Sequence, residues 1–377
     1  MTTLHDLYDQ HGQSPWIDNI RRDWLDDGTL AGLVAQGVRG VTSNPSIFAK
    51  SLASSSAYDA AIAALDTRDP EVVFESLAVA DVRDACDVLA AVHRASREEM
   101  THGHRHYADG FVSLEVSPRL ARDTGATIAA AQRLAREVDR PNVMIKIPAT
   151  REGLPAITEV LGQGINVNVT LIFSTSRYDE VIDAWRDGLV LAAGRGHDLA
   201  GLASVASFFV SRLDVAIDAQ LAEGDPRRGT IAVAQTAAAY AMFRARQADP
   251  DVAALMARGA QIQRPLWAST STKDPRYDEL LYVNDLVADD TVNTMPDATL
   301  HAALEHLDVT RSVLVDSETT ARAARRLDVL GTDVDLDEVT ARLETEGVNA
   351  FADAYDALLT TIEAKFPAGS SHNAASA

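Results

Sequence analysis

Cysteine is nearly absent: Cys86 is the only one in 377 residues. Intrachain disulfides and cysteine-based zinc sites are thereby excluded, and a reducing cytoplasm is the expected location. No run of about 18 uninterrupted apolar residues occurs, so no membrane span is expected. The opening "MTTLHDLYDQ" lacks the charged and apolar regions of a signal peptide. Positive charge is also scarce. The 34 Lys and Arg face 55 Asp and Glu, a net charge of -21, which argues against non-specific nucleic-acid binding. A local cationic pocket for a phosphorylated small molecule remains compatible with that field. Lysine itself occurs only as Lys50, Lys146, Lys273 and Lys365.

What is abundant is apolar surface. Hydrophobic residues make up 46%, too much for disorder and enough for a large core. Short apolar or alternating runs recur: "SPWIDNI" (14–20), "GVRGVTSNP" (37–45), "GFVSLEVSP" (110–118) and "NVMIKIPAT" (142–150). They continue with "INVNVTLIF" (165–173), "LASVASFFV" (202–210), "RPLWASTST" (264–272) and "DDTVNTMP" (289–296). Between them lie Ala-rich stretches with helical spacing, such as "ATIAAAQRLAREVD" and "RYDEVIDAWRDGLVLAA". Strands alternating with helices imply parallel pairing, and eight such units predict an α/β fold, a (β/α)8 TIM barrel.

The gap between the second and third runs holds at least two further helices. "DLDEVTARLETEGVNAFADAYDALLTTIEAKF" predicts one or two more after the barrel. No linker divides the chain, so a single domain over 1–367 is expected, with inserted and C-terminal helices. The small polar residues 368–377 read as a disordered tail.

Alternate side chains of a strand face opposite ways. Lys146 therefore opposes Val143, Ile145 and Ile147. Asn168 and Thr170 oppose Val167 and Val169, and Ser113 and Glu115 oppose Leu114 and Val116. Thr42 and Asn44 oppose Val41, Asp18 opposes Ile17, and Ser207 lies between two outward-facing positions. In a barrel the polar members face inward and sit late in each run, at the C-terminal mouth where barrel active sites are built. An antiparallel sheet with one wet face would give the same alternation, but it calls for short hairpins where this chain has helices.

A buried amine on that inward face suits Schiff-base chemistry. Burial disfavours the ammonium, and a nucleophilic amine at neutral pH needs a shift of about three units, or roughly 4 kcal/mol. On spacing alone, a structural lysine paired to Glu115 or Asp18 accounts for the pattern equally well. Asp18 and Glu115 are the inward carboxylates available for proton transfer, and Asn44, Asn168, Thr170 and Ser207 are types that bind hydroxyl groups. No histidine cluster or carboxylate pattern for a metal accompanies them.

"GVTSNPSIF", "VMIKIPAT", "INVNVTLIFS", "SVASFFVSRLD" and "LWASTSTKD", in this order, resemble the transaldolases over about residues 16–300. The resemblance implies a (β/α)8 enzyme of the pentose phosphate pathway without cofactor or metal. It implies transfer of a dihydroxyacetone unit from sedoheptulose 7-phosphate to glyceraldehyde 3-phosphate, giving erythrose 4-phosphate and fructose 6-phosphate. Lys146 would be the Schiff-base residue and Asp18 the acid/base of carbon–carbon cleavage. Glu115 would act through a water positioned by Thr170. Asn44 and Asn168 would hold the dihydroxyacetone hydroxyls, with Ser207 beside the imine. Arg212 and Ser269 would bind the phosphate, the arginine through two hydrogen bonds.

The chain departs from the family in places. An arginine common two positions after the serine at 269 is Ser271 here, with Lys273 close by to supply charge, and the usual "SPFVGR" reads "SFFVSR". An aldolase that releases dihydroxyacetone to water, and a barrel that only binds sugar phosphates, are the competing functions. Sugar phosphates are the expected partners, without nucleic acid or membrane, and a monomer or a homodimer is compatible.

Other features read as structural. "THGHRHY" (101–107) reads as a solvated loop rather than a metal site, and "GQG" (162–164) and "GRG" (194–196) as turns. Cys86 reads as a small core residue, and Asp297 as the cap of the helix "ATLHAALEHL".

Overall fold

The computed structural model describes residues 2–330 and 333–366. The expected tail, 368–377, lies outside the described residues. Seven strands form one parallel sheet: β1 (Gln13–Ile17), β2 (Val112–Glu115), β3 (Val143–Pro148), β4 (Val167–Ile172), β5 (Ser204–Phe209), β6 (Gln263–Ala268) and β7 (Thr291–Met295). Their order is β1-β7-β6-β5-β4-β3-β2, each pair parallel.

The ring closes between β1 and β2 through Val41, which bridges Ile17 on one side and Val112 on the other. Ile17 N–H donates to Gly40 O (3.0 Å) and Thr42 N–H to Ile17 O (2.9 Å). Val41 N–H donates to Phe111 O and Ser113 N–H to Val41 O, both at 2.9 Å. The fold is thus a TIM-like barrel whose second position, expected as a strand within 37–45, shrinks to a short hydrogen-bonded segment. Two local causes bound it. Gly37 has φ +113°, a left-handed backbone, and Pro45 lacks an N–H and starts the helix Pro45–Ser54. At Gly40 a Cβ would lie 2.3 Å from the Trp16 ring, so only glycine lets the backbone pass there.

Helices join the strands and cover the barrel. Asp123 and Ser174 cap the helices that follow β2 and β4, accepting from Ala126 N (2.9 Å) and Arg177 N (3.1 Å). Asp297 does not cap its helix. It occupies the first turn of Asp297–His306 and accepts both hydrogen bonds of the Asn19 amide (2.8 Å each), since Pro296 fills the cap position. The final segment is one helix, Leu336–Ala364, capped by Asp335. Among the described residues no helix is long and apolar enough to cross a membrane.

Both faces of the strands are buried, and the interior is layered. At the N-terminal end Ser14 and Arg264 face inward beside Asp109. Asp109 accepts from Ser14 Oγ (2.5 Å), Trp16 Nε1 (2.9 Å), Arg39 Nε (3.0 Å) and Arg264 Nη2 (3.2 Å). Arg264 also lies over the Tyr107 ring at 4.0 Å. This network plugs the lower barrel, so the chemistry has room only at the C-terminal mouth.

Candidate active site

"TSNP" turns the chain from the second barrel position into a helix. Asn44 Oδ1 accepts Ile47 N–H (3.1 Å) and Pro45 takes the first helical position, so the cap also fixes Asn44 at the mouth. The register sets the rest: Glu115 pairs with Lys146 and Lys146 with Asn168, three inward side chains at one level.

Lys146 is 4% exposed. Its Nζ donates to Ser43 O (3.1 Å) and stands 3.7 Å from Glu115 Oε2. Asp18 accepts from Thr42 Oγ1 (2.6 Å), and Thr42 Oγ1 also contacts Thr294 Oγ1 at 2.7 Å. Burial pushes the Asp18 carboxyl up from its ordinary range, against the pull of Lys146 and the Thr42 hydrogen bond. Burial likewise pushes Glu115 up to about 7, with Lys146 opposing and Asp18 adding to the shift. Glu115 Oε2 and Thr170 Oγ1 are both buried and have no hydrogen-bond partner among the described residues.

Asp18, Asn44, Lys146, Thr170, Ser207, Arg212 and Ser269 line one cavity of about 340 Å³ at the mouth. Glu115 reaches the same centre through Lys146. Asn168 does not line the cavity wall. It is fully buried, donates to Ser113 Oγ (2.9 Å) and accepts from Ser207 Oγ (2.7 Å), so it stands behind Ser207.

The outer half of the cavity is cationic. Arg212 opens the helix Ser211–Asp218 after β5, and Lys273 lies in the loop after β6. Lys273 Nζ donates to Ser271 Oγ (2.6 Å). Lys50, from the helix Pro45–Ser54, lines the same wall. Among the described residues, none of Lys50, Arg212 and Lys273 forms an ion pair with a carboxylate, and three of the four lysines converge here. Burial lowers the pKa of Arg212, against a weak pull from Glu346. Burial, then the charges of Arg212 and Lys50, lower that of Lys273. Unopposed like charges held together point to a bound anion. Ser269 adopts φ +56° and meets Ser211 Oγ at 2.9 Å, which aims the β6 loop at Arg212.

Sequence reasoning missed Lys50 and Phe351. Lys50 sits six residues after Asn44 on the helix that Asn44 caps, and the rarity of lysine was the available signal. The ring of Phe351, from Leu336–Ala364, lies over both Lys146 (5.7 Å) and Arg212 (6.0 Å), a contact no local pattern encodes.

The remaining motifs lie away from this cavity. His102, His104 and His106 are exposed, and Cys86 is fully buried. Gly164 (φ +76°) and Gly196 (φ +83°) turn the chain just past helix ends. A larger cavity of about 760 Å³ lies beside the N-terminal end of β7, lined by residues such as Tyr240, Arg244, Asp289 and Val315. It contains none of the expected site residues, and its Arg244 is paired with Asp290 (2.9 Å).

Residues 15–362 match the family described as Transaldolase/Fructose-6-phosphate aldolase. The chain is 47% identical over 358 residues to "Transaldolase" of Saccharopolyspora erythraea, covering 93% of this chain and 94% of that one. It is 48% identical over 368 residues to "Transaldolase 1" of Streptomyces coelicolor, covering 95% and 93%. With "Transaldolase" of Mycobacterium leprae it shares 49% over 358 residues, covering 92% of each.

Proposed function

The chain belongs to the transaldolase/fructose-6-phosphate aldolase family, and on that premise we propose that it is a transaldolase. It moves a dihydroxyacetone unit from sedoheptulose 7-phosphate to glyceraldehyde 3-phosphate, giving erythrose 4-phosphate and fructose 6-phosphate. The observation that carries this reading is a buried amine, Lys146, 3.7 Å from the Glu115 carboxylate, in a cavity that also holds Asp18 and whose outer wall holds three cations that pair with no carboxylate among the described residues.

In the proposed reaction the Lys146 amine adds to the ketose carbonyl. Glu115, poised near neutral, works through a water held against Thr170, giving a proton as the carbinolamine loses water and taking one when the imine is hydrolysed. Asp18 takes the proton from the hydroxyl next to the scissile bond as that bond breaks, and the first aldose leaves. The three-carbon enamine on Lys146 then attacks the acceptor aldehyde, whose oxygen recovers the proton from Asp18. Asn44 and Ser207 hold the dihydroxyacetone hydroxyls, with Asn168 orienting Ser207. Arg212, Ser269, Lys273 and Lys50 receive the phosphate at the far end.

Sugar phosphates are the partners this assigns, within the pentose phosphate pathway and a cytoplasmic setting. The competing aldolase outcome uses the same residues, and the names of the relatives favour transfer. The test is to follow erythrose 4-phosphate and fructose 6-phosphate from the two substrates. Lys146→Arg is expected to abolish transfer while leaving the circular dichroism spectrum unchanged. Full activity in that variant would overturn the assignment.

A further inference from the structure

We infer that Phe351 sets how the bound three-carbon enamine is shared between an acceptor aldehyde and water, an inference that rests on the transaldolase reading of the site. The helix Leu336–Ala364 crosses the barrel mouth and is held there at several points. At Gly347 an added Cβ would come within 3.2 Å of Leu171 and Phe173, so glycine lets the helix press onto the end of β4. One turn later, on the same face, comes Phe351, 6% exposed. One turn further, Tyr355 packs edge-on against Phe74 (5.6 Å), which packs on Phe48 (5.3 Å). Asp356 pairs with Arg119 (2.6 Å), and Glu344 with Arg177 (3.3 Å). Both arginines belong to segments that follow mouth-side strand ends, β2 and β4.

The ring so fixed lies 5.7 Å from Lys146 Nζ and 6.0 Å from the Arg212 guanidinium carbon, and the Phe209 ring lies 5.3 Å from that carbon. One apolar face therefore covers both the nucleophile and the residue that receives the phosphate. Its negative π-face also suits the cationic iminium formed on Lys146. After the first aldose leaves, the enamine has two fates. Its nucleophilic carbon bonds to the acceptor aldehyde carbon, whose oxygen takes up a proton, and water then adds to the product imine so that the carbon–nitrogen bond breaks and the ketose and the Lys146 amine are freed. Alternatively the same carbon takes a proton from water. A second water then adds to the resulting imine, and the carbon–nitrogen bond breaks to free dihydroxyacetone and the Lys146 amine. No oxidant or reductant enters either course. Both courses end with water hydrolysing an imine on Lys146; only the second also needs water to protonate the enamine carbon before an acceptor arrives, and a ring packed over the amine that carries the enamine restricts that approach.

The test compares the full-length protein with Phe351→Ala and Phe351→Leu. Dihydroxyacetone freed from fructose 6-phosphate alone is measured against transfer to erythrose 4-phosphate, and borohydride trapping on Lys146 reports imine formation. Phe351→Ala is expected to raise the ratio of release to transfer on the order of tenfold, with the Lys146 adduct retained, and Phe351→Leu by roughly threefold. Should the alanine variant not fold, the leucine variant carries the test. An unchanged ratio in a variant that still forms the adduct overturns the inference and leaves the transaldolase reading intact. Absence of any adduct in the unaltered protein overturns that reading, and this inference with it.

Discussion

Glu115 Oε2 stands 3.7 Å from Lys146 Nζ, on adjacent strands at the same register position. The pairing explains how a barrel interior tolerates both groups, and it ties the activity to pH. Burial raises Glu115 to about 7, so near neutrality it exists in both forms and can give or take a proton. Glu115→Gln is expected to lower kcat on the order of a hundredfold and to remove the limb near pH 7 from the pH–rate profile. A variant that keeps this limb assigns it to another group.

The same shift bears on stability. A carboxyl whose folded value lies above its unfolded value of 4.5 favours the folded state when neutral. That contribution is full below the unfolded value and is lost as pH rises through about 7. The melting temperature of Glu115→Gln should therefore gain on that of the parent protein between pH 5 and pH 8. A constant difference across that range, by scanning calorimetry, would contradict the assigned shift.

Lys273 is held by Ser271 beside Arg212 in a chain of net charge -21. Lys273→Ala should raise KM for fructose 6-phosphate about tenfold while changing kcat little, as expected for a group that grips a phosphate remote from the reacting bond. Inhibition by inorganic phosphate should weaken in parallel, and more so in Lys50→Ala/Lys273→Ala. Unchanged KM and unchanged inhibition would move the phosphate to Arg212 and Ser269 alone.

Asp109 is fully buried among Ser14, Trp16, Arg39 and Arg264. Burial alone would raise its carboxyl, but Arg264 and Arg39 outweigh it and hold the group below its ordinary value. Its stabilisation is present above the unfolded value and is lost as pH falls through the folded one. Asp109→Ala leaves two arginines facing a buried void, and denaturant unfolding should show a loss of about 3–5 kcal/mol. A loss under about 1 kcal/mol would show that the network is dispensable.

Much of this site was legible because a strand has a period of two. Lys146, Glu115, Thr170, Asn168, Ser207 and Asp18 all face inward as their alternation requires, and the late position of each placed the chemistry at the mouth. What stayed hidden depends on contacts between distant segments. That Asn168 stands behind Ser207 follows from the pairing of β4 with β5, which sets Asn168 opposite Val205, two residues before Ser207. Gly37 and Pro45 bound the second barrel position locally, while the Trp16 ring, from another strand, requires glycine at 40. Asp297 carries a capping residue's chemistry, yet Pro296 took the cap and Asn19 took its oxygens. Phe351 lies 205 residues from Lys146 in a segment with no motif, and tertiary packing such as that of Gly347 on Leu171 and Phe173 brings it over the amine.

The most direct measurement is borohydride reduction of the protein incubated with fructose 6-phosphate, followed by intact mass and peptide mapping. A dihydroxyacetone-sized increment on the peptide that contains Lys146, absent in Lys146→Arg and emptied by erythrose 4-phosphate added before the borohydride, is the result predicted here. An adduct on Lys50 or Lys273, or none at all, would contradict the account at its centre.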